Sequence, residues 1–254
     1  MNLSVVVLSK NEEANIERCL KAVEFADEII VVDDYSNDKT AEIAERYGAK
    51  VFKRHLEYNF AEQRNFGLDK ASGRWVLFVD ADERVGPELG KEIIDSVKHI
   101  DSVGYFVVRR DRLFGKFLRF GEFSSSGAFG NSKILRLGRK GAGRWRRLVH
   151  EYWDIRGKCK DLHTPLLHYP HPTLREFIKN INYFSTLHAR ALRKEGKRPG
   201  LAKIVIWPLG KFVYNVVFRL GFLDGIEGFV VAILMSFNSF LAWSKAWINQ
   251  RRTY

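Results

Sequence analysis

The chain has 254 residues, of which 46% are hydrophobic and 28% charged, a composition that supports a full core and excludes extended disorder. Its net charge of +12 is unevenly distributed: residues 1–100 hold 14 basic and 20 acidic residues, whereas the rest holds 28 and 10. The second part is therefore expected to meet something anionic, either nucleic acid or a membrane surface.

Strands and helices alternate along the first 100 residues. Apolar runs rich in β-branched residues predict buried strands at residues 3–9, 27–34, 50–54 and 74–80. Helical spacing and capping residues predict helices at residues 11–23, 36–48, 60–72 and 87–100. Strands that are apolar on both faces and alternate with helices are typical of a mostly parallel sheet covered by helices on either side.

The pattern changes after residue 100. Residues 103–114 and 132–138 are predicted strands, and residues 144–155 are a candidate for another. Between them, residues 115–131 are rich in Gly and Ser and have no clear period, as is common in functional loops. A helical pattern returns at residues 173–193 and is followed by a strongly apolar tail.

Acidic or polar residues follow three of the predicted strands, at residues 9–12, 33–34 and 80–83. Ligands of parallel sheets gather beyond the carboxyl ends of the strands, so these clusters are expected to meet. Asp80 and Asp82 have the D-x-D spacing of a Mg²⁺ or Mn²⁺ site, which combines carboxylates with substrate phosphate oxygens. A solvated acidic turn is the alternative, but the nearby Asp33 and Asp34 favour a metal–diphosphate ligand.

Four segments, in this order and spacing, resemble the nucleotide-binding half of family 2 glycosyltransferases, which have the GT-A fold. They read SVVVLSKNEEANIERCL, ADEIIVVDDYSNDKTAEIAERYGAKV, EQRNFGL and WVLFVDADE. The likeness is closer to the bacterial subgroup, including glucosyltransferases, that adds a β-linked sugar to the lipopolysaccharide inner core. It covers about the first 95 residues and resumes at LVHEYW, LLHYPHPTLREFI and GFLDGIEGF.

The resemblance implies an α/β, Rossmann-like GT-A fold, in which a mixed, mostly parallel sheet is flanked by helices. Residues 1–172 would form the catalytic domain, with a nucleotide-binding half at 1–100 and an acceptor half at 101–172. Residues 173–254 would form a helical, basic and apolar extension that associates with a membrane.

The resemblance also implies a set of residues that contact the nucleotide sugar. Asp34 would accept a hydrogen bond from the base, most simply from the N–H of uracil, with Asp33 beside it. Arg64 would lie near the diphosphate, although a surface arginine paired with Glu12 or Glu62 is the alternative. The pocket after the first strand would be lined by Leu8, Ser9, Asn11 and Glu12.

The implied metal is Mg²⁺ or Mn²⁺. Asp82 would bind it directly, and Asp80 would contact either the ribose or the metal. His168 is a candidate for a further ligand to metal or phosphate, with a structural histidine as the alternative.

An inverting sugar transfer also needs a base that takes the proton of the acceptor hydroxyl. The resemblance assigns this role to Glu151, in a V-H-E motif, whereas an ion pair with Arg146 or Arg147 is the alternative. His150 would orient Glu151 or touch the sugar, or it is a packed strand histidine.

The implied reaction moves a hexose from a UDP-sugar, such as UDP-glucose, to a lipopolysaccharide-core or other lipid-linked glycan. One departure leaves the acceptor open: the subgroup usually carries Gly-Gly-Trp and an acid before its R-L-F strand, where this chain reads GEFSSSGAFGNSKILRLG. Arg109, Arg110 and Arg112 would suit a phosphorylated acceptor, but a solvated basic face is the default.

The apolar tail suits a membrane interface. Residues 228–244 are seventeen uncharged residues, fewer than the about 20 of a spanning helix, and they include Ser236, Asn238 and Ser239. The tail also carries Trp207, Trp243 and Trp247 among basic residues. Monotopic or peripheral attachment to the anionic cytoplasmic leaflet of the inner membrane is expected, with a core-completing cap, a dimer interface or a spanning segment as alternatives.

Other interpretations stay open. Transfer to a polyprenyl phosphate would need no base, because that acceptor is already an anion. A nucleic-acid-binding protein would use the basic second part, but the front-half acids and apolar tail argue against it. A degenerate binding module is disfavoured by the retained carboxylates. Two separated cysteines and a start without a secretory pattern favour a cytoplasmic location.

Overall fold

The computed structural model describes residues 3–99, 101–123, 133–148, 151–170 and 173–251, without the side chain of Arg251. The chain divides into two compact units, Met1–Arg109 with Lys133–His168 and Arg110–Ser132 with Tyr169–Tyr254. The second unit therefore includes residues 110–132 as well as the predicted C-terminal extension.

The first half of the first unit alternates strands and helices as predicted. Pro87 occupies the first turn of its helix, where its missing N–H costs no hydrogen bond, and the Asn59 side chain caps the helix before it. The elements are β1 (Leu3–Ser9), α1 (Ile16–Lys21), β2 (Glu28–Asp33), α2 (Thr40–Arg46), β3 (Lys50–Lys53), α3 (Phe60–Lys70), β4 (Trp75–Asp80), β5 (Glu83–Arg84) and α4 (Pro87–Ser96).

The following segment is mainly β-structure. Its strands are β6 (Gly104–Leu113), β7 (Lys116–Phe117), β8 (Lys133–Arg139), β9 (Gly143–Arg146), β10 (Tyr152–Ile155), β11 (Cys159–Asp161) and β12 (Leu166–His168). The candidate strand at residues 144–155 is instead the antiparallel pair β9–β10, with Trp145 opposite Trp153.

The strands form a mixed sheet, as predicted. Among the described residues its order is β3-β2-β1-β4-β8-β6-β12-β5, and the first four strands are parallel. Strand β8 joins β4 in the antiparallel direction. Because β1 pairs with both β2 and β4, Ser9 lies opposite Asp33 and Leu8 opposite Asp80. The predicted polar clusters therefore meet at one edge.

Both faces of the parallel strands are buried, which explains their continuous apolar runs. Val5 and Val7 face the core formed with α1, α2 and α4, whereas Val6 and Phe78 face α3 and the β9–β10 pair. Helix α3 lies very close to β1, since a Cβ on Gly67 would come within 2.4 Å of Val6 Cγ1. This approach fixes the helix that carries Arg64.

The second unit is built from helices α5 (Leu174–Lys194), α6 (Leu201–Val213) and α7 (Gly225–Arg251). A π-helical turn (Tyr214–Phe218) and a 3₁₀ turn (Gly221–Asp224) join the last two. Helices α6 and α7 are antiparallel: Lys203 lies 4.9 Å from the Trp243 ring centroid, and the Phe212 and Phe229 ring centroids are 5.5 Å apart. The predicted C-terminal helical region is confirmed.

Candidate functional site

The loops after β1 and β2 are cross-linked at the carboxyl edge of the sheet. The Asn11 backbone N–H donates to Ser36 Oγ at 2.8 Å, and the Asn37 N–H donates to Asn11 Oδ1 at 2.8 Å. Asn11 and Tyr35 both have positive φ angles, 55° and 48°. Such backbone strain in non-glycine residues is concentrated at ligand sites, and here it lies in both loops beside the predicted nucleotide pocket.

The buried Asp33 carboxylate joins the end of β1 to the loop after β2 at this edge. It accepts hydrogen bonds from Ser9 Oγ at 3.1 Å, from Ser36 Oγ at 2.5 Å and from the Ser36 backbone N–H at 2.8 Å. Ser9 and Asp33 therefore contact each other rather than open space. Their predicted influence on the nucleotide would be exerted through the shape of the loop.

Asp34 lies beside an aromatic stack. Its Oδ1 accepts a hydrogen bond from the Leu56 N–H at 3.1 Å and lies 3.6 Å from His55 Nδ1. The Tyr35 and His55 rings stack at 4.0 Å between centroids. A nucleotide base can stack on such a flat aromatic surface and donate a hydrogen bond to the adjacent carboxylate.

Two predicted residues connect this region to the D-x-D turn. The Leu8 carbonyl accepts a hydrogen bond from the Ala81 N–H at 3.2 Å. Glu12 is partly buried, and its Oε2 accepts a hydrogen bond from Asn15 at 2.8 Å. Burial, followed by repulsion from Asp82, raises the pKa of Glu12 to about 7. The Glu12 and Asp82 carboxylates therefore repel each other, and a bound cation would reduce this repulsion.

Asp80 is held between two buried arginines. Arg64 Nη2 donates to Asp80 Oδ1 at 2.9 Å, and Arg136 Nη2 donates to Asp80 Oδ2 at 2.8 Å. Although burial opposes ionisation, Arg136 and Arg64 hold the pKa of Asp80 below its usual range. Arg64 thus pairs with Asp80 rather than with the alternatives Glu12 or Glu62.

Glu83, the third carboxylate of this turn, faces inward. It is fully buried; Oε2 accepts the Asp80 backbone N–H at 2.8 Å, and Oε1 lies 3.2 Å from Arg136 Nη2. Burial raises the pKa of Glu83 despite the adjacent arginine. Glu83 therefore closes the turn and leaves Asp80 and Asp82 as its partly exposed carboxylates.

Asp82 and His168 are brought together by the pairing of β12 with β5, which sets His168 opposite Glu83. His168 Nε2 lies 3.2 Å from Asp82 Oδ2. Burial alone would raise the pKa of Asp82, but the adjacent imidazole holds it below its usual value. One carboxylate and one imidazole suit Mn²⁺ that takes its remaining ligands from phosphate and water. Within the described ranges, no group of three His, Cys, Asp or Glu side chains has metal-binding geometry.

Glu151 joins the site through Arg64. Arg64 Nε donates to Glu151 Oε1 at 2.8 Å, although the two residues are 87 positions apart. The predicted alternative partner Arg146 instead lies 3.5 Å from Asp154. His150 lies outside the described residues. The candidate base and the D-x-D turn are therefore linked by a single guanidinium.

Two functional features escaped the sequence analysis. Arg136, on β8, is buried against the carboxylates, and Trp145, on β9, lies under Arg64 with 4.9 Å between the guanidinium carbon and the ring centroid. The available signal for Arg136 was a charge between Leu135 and Leu137 in a predicted buried strand. A charge in such a position needs a buried partner.

The chain is similar to known glycosyltransferases. The model of glycosyl transferase family 2 matches residues 4–150. The chain is 31% identical over 252 residues to the lipopolysaccharide core biosynthesis glycosyltransferase LpsC of Rhizobium meliloti, covering 96% of this chain and 91% of LpsC. It is 28% identical over 263 residues to an uncharacterized glycosyltransferase of Rickettsia bellii, covering 96% of this chain and 85% of that protein.

Two solved structures share the fold. The mannosyltransferase PcManGT from Pyrobaculum calidifontis, in complex with GDP-Man and Mn²⁺, has a TM-score of 0.58 at 15% identity and covers 98% of this chain and 88% of its own. S. aureus TarS 1–349 in complex with UDP has a TM-score of 0.52 at 18% identity and covers 100% and 92%. At these identities the likeness is one of fold.

Proposed function

The chain belongs to glycosyl transferase family 2, and we propose that it is an inverting, metal-dependent hexosyltransferase. The donor would be a UDP-hexose such as UDP-glucose, and the acceptor a lipopolysaccharide-core or other lipid-linked glycan. The observation that carries this proposal is the bridge from Arg64 to both Glu151 and Asp80. It unites a candidate acceptor base with the carboxylates beside which a diphosphate would bind.

The donor site would occupy the carboxyl edge of the sheet. Asp34 and the stacked Tyr35 ring would receive the base, and the adjoining loops would surround the ribose. TarS with bound UDP supports a uracil nucleotide, whereas PcManGT binds GDP-Man, so the base needs a direct test. The contacts of Leu8, Ser9, Asn11 and Glu12 around these loops support their predicted positions beside the nucleotide.

Asp82 and His168 would hold Mg²⁺ or Mn²⁺, and their 3.2 Å separation supports this assignment. Asp80 is a weaker candidate ligand, because both of its oxygens already accept hydrogen bonds from arginines. When bound, the cation would neutralise negative charge on the departing diphosphate. PcManGT carries Mn²⁺, which favours the same choice here.

Glu151 would act as the base. As the acceptor oxygen bonds to the anomeric carbon, its proton would pass to Glu151. The bond from that carbon to the diphosphate oxygen would break, and the electron pair would leave with the diphosphate. Attack from the face opposite the leaving group inverts the anomeric configuration. The contact with Arg64 supports this role for Glu151. Arg64 holds Oε1 in place, and none of the residues that the structure describes forms a hydrogen bond with Oε2.

The acceptor assignment rests mainly on the similarity to LpsC, a lipopolysaccharide core glycosyltransferase of which 91% is covered. A lipid-linked acceptor also requires that the enzyme work near a membrane. The exposed surface of the second unit supports this requirement.

Helices α6 and α7 carry an exposed apolar surface between Leu201 and Ile248, here called the platform. Both segments, Leu201–Phe218 and Gly221–Gln250, are long and apolar enough to cross a membrane by length and composition. In the apolar stretch of 18 residues within each segment, however, only 11% and 33% of the residues are buried. A core helix would be mostly buried, so the platform needs an apolar partner. Its longest exposed stripe consists of Phe222, in the 3₁₀ turn, and of Ile226, Phe229, Ile233, Phe237 and Phe240, on α7.

The charged side chains between residues 204 and 250 are all directed to partners within the unit. Lys211 lies 2.8 Å from Glu122, and Lys245 donates to Ser185 Oγ on α5 at 2.7 Å. Asp224 accepts the Arg119 and Phe120 N–H groups at 2.9 and 2.8 Å. Arg219 and Glu227 likewise contact the 116–121 segment. An apolar stripe backed by charges favours a helix pair lying in the membrane interface, at the cytoplasmic leaflet.

A donor panel tests the proposal. UDP-, GDP- and dTDP-hexoses would be compared by thermal shift with and without Mn²⁺, and transfer would be measured on a truncated lipopolysaccharide core. UDP-glucose with Mn²⁺ is expected to give the largest shift. Glu151→Gln should keep this shift but lose transfer by about 10³-fold, whereas the exposed Glu88→Gln should behave as the parent. Transfer to a polyprenyl phosphate that survives Glu151→Gln would favour the alternative acceptor.

A further inference from the structure

Five charged side chains of alternating sign form a continuous chain through the candidate site. Glu151 contacts Arg64 at 2.8 Å, Arg64 contacts Asp80 at 2.9 Å, and Asp80 contacts Arg136 at 2.8 Å. Arg136 also reaches Glu83 at 3.2 Å. The chain therefore runs from the candidate base to the carboxylate that closes the D-x-D turn.

The two cations in this chain are buried. The side chains of Arg64 and Arg136 are 4% and 6% exposed, and aromatic rings of Phe78 and Trp145 lie within 6 Å of the Arg64 guanidinium. Buried ion pairs contribute little net stability compared with apolar residues of similar volume, so their presence calls for a role in orientation.

The hydrogen bonding of the two arginines agrees with such a role. Each has an Nη1 atom that is buried and has no hydrogen-bond partner among the described residues. A buried N–H without a partner is unfavourable. Each guanidinium therefore lacks one hydrogen bond that it could make, yet both direct Nη2 at the Asp80 carboxylate. This arrangement fixes the position of Asp80 at the expense of hydrogen bonds to the arginines.

We propose that Arg136 is a positioning residue that fixes Asp80 and, through Asp80 and Arg64, the orientation of Glu151. The donor turn and the acceptor base would then move as one coupled group. The functional part rests on the proposed function, but the coupling is a property of the folded chain.

Arg136→Lys keeps the charge but replaces the rigid guanidinium, whose Nη2 contacts both Asp80 and Glu83, with an ammonium on a flexible stem. We expect kcat to fall by about 10- to 100-fold, since small misplacements of catalytic groups have effects of this size. The KM for the sugar nucleotide should change less than about threefold, because the donor contacts themselves remain. Arg136→Met should lose more, and Arg139→Met, on the same strand but against Trp75, should match the parent.

Arg136→Met alone leaves Glu83 buried without its cation and is at risk of unfolding. The double variant Glu83→Gln/Arg136→Met removes both charges and serves as the background that preserves folding. Its kcat should remain low while its melting temperature returns toward that of the parent. Recovery of kcat together with the melting temperature would overturn the proposal and leave Arg136 as a structural residue.

A second measurement needs no activity. Melting temperatures would be compared for Arg136→Lys, Glu151→Gln and their combination, and for the matched set with Arg139→Met. Coupled sites deviate from additivity, and we expect a deviation of about 2 °C or more for Arg136 but less than this for Arg139. Additive shifts in both sets would overturn the coupling.

The two measurements separate this inference from the proposed function. If no sugar nucleotide supports turnover by the parent protein, the proposed function fails, and the melting temperatures still decide the coupling. If the parent is active but Arg136→Lys matches its kcat and the shifts are additive, the inference fails and the proposed function stands.

Discussion

The candidate site and the platform depart in opposite ways from the usual distribution of residues: the site buries charged side chains, and the platform exposes large apolar ones. At the site, Glu83, Arg64 and Arg136 are charged groups buried inside the first unit, and Asp80 lies between the two arginines. On the platform, large apolar side chains such as Ile226 face outward, while the charges of the same helices contact partners in the second unit.

Both arrangements cost stability in the isolated protein, one through desolvated charge and the other through hydrated hydrocarbon. Each cost would fall if the proposed partner bound: a cation with a diphosphate at the first surface, and the apolar layer of a membrane at the second. We therefore propose that the first unit carries out the chemistry and that the second unit attaches the chain to a membrane, and each proposal can be tested alone.

The largest expected effect comes from removing the carboxylate that contacts His168. Asp82→Asn should lower Mn²⁺-dependent turnover by about 10³-fold, because only His168 would remain of the proposed metal pair. Initial rates against Mn²⁺ concentration and calorimetric Mn²⁺ binding would measure this. Asp95→Asn, on the exposed face of α4, is the control. Unchanged Mn²⁺ activation in Asp82→Asn would remove Asp82 from the metal site.

The platform is tested by placing charge on its outward face. Phe222→Asp/Ile226→Asp should weaken binding to vesicles of anionic phospholipid by about 100-fold, from the lost burial of two large apolar side chains. Co-sedimentation would measure binding, and transfer to a water-soluble acceptor should not change. Leu174→Asp, exposed on α5, is the matched control. Equal losses in both variants would point to general charge repulsion rather than docking by the platform.

Glu12 tests whether the site is strained in the absence of its ligand. Its pKa of about 7 lies above the ordinary 4.5, so the folded state binds the extra proton and loses stability as pH rises through this window. Glu12→Gln should therefore be more stable than the parent at pH 8 by about 1–3 kcal/mol. Urea unfolding without divalent cations at pH 8 and pH 4.5 measures this. The gain should vanish at the lower pH, and Glu13→Gln should show none.

Glu28, at the opposite end of β2, is the contrasting carboxylate with a purely structural role. It accepts hydrogen bonds from Ser4 Oγ, the Ser72 N–H and Lys50 Nζ, and although burial opposes this, they lower its pKa to about 2. Its contribution is present above pH 4.5 and is lost as pH falls toward 2. Glu28→Gln should cost about 1 kcal/mol at pH 7 without changing kcat. A gain in stability would contradict this contrast.

The sequence predicts the parallel half of the fold and the edge at which its site lies, because strand-end positions follow directly from apolar runs and turn residues. Asp82 and Glu151 are predicted by position and by resemblance. The residues that contact Asp82 and Glu151 cannot be predicted in the same way. The Arg64–Glu151 pair, for example, joins residues 87 positions apart and depends on how α3 packs on β1.

The sequence does not identify Arg136 as a site residue, because Arg136 reaches the carboxylates only through the antiparallel pairing of β8 with β4. No local sequence pattern specifies the register of that pairing. The same holds for the platform. Hydropathy predicts that the tail is apolar, but only the contacts of Lys211, Asp224 and Lys245 establish which helix face carries the charges.

The distribution of tryptophans gives the chain two separate optical reporters. Trp145 and Trp153 are stacked in the core at 5.4 Å between ring centroids, with the Arg64 guanidinium over Trp145, whereas Trp207 is 62% exposed on α6. A water-soluble collisional quencher should reach Trp207 and leave the core pair emitting. Trp75 is also buried, so Trp75→Phe would be used as the background in which the fluorescence that survives the quencher follows events beside Arg64. The quenched fraction, from Trp207 and the partly exposed Trp247, would follow contact of the helices with lipid.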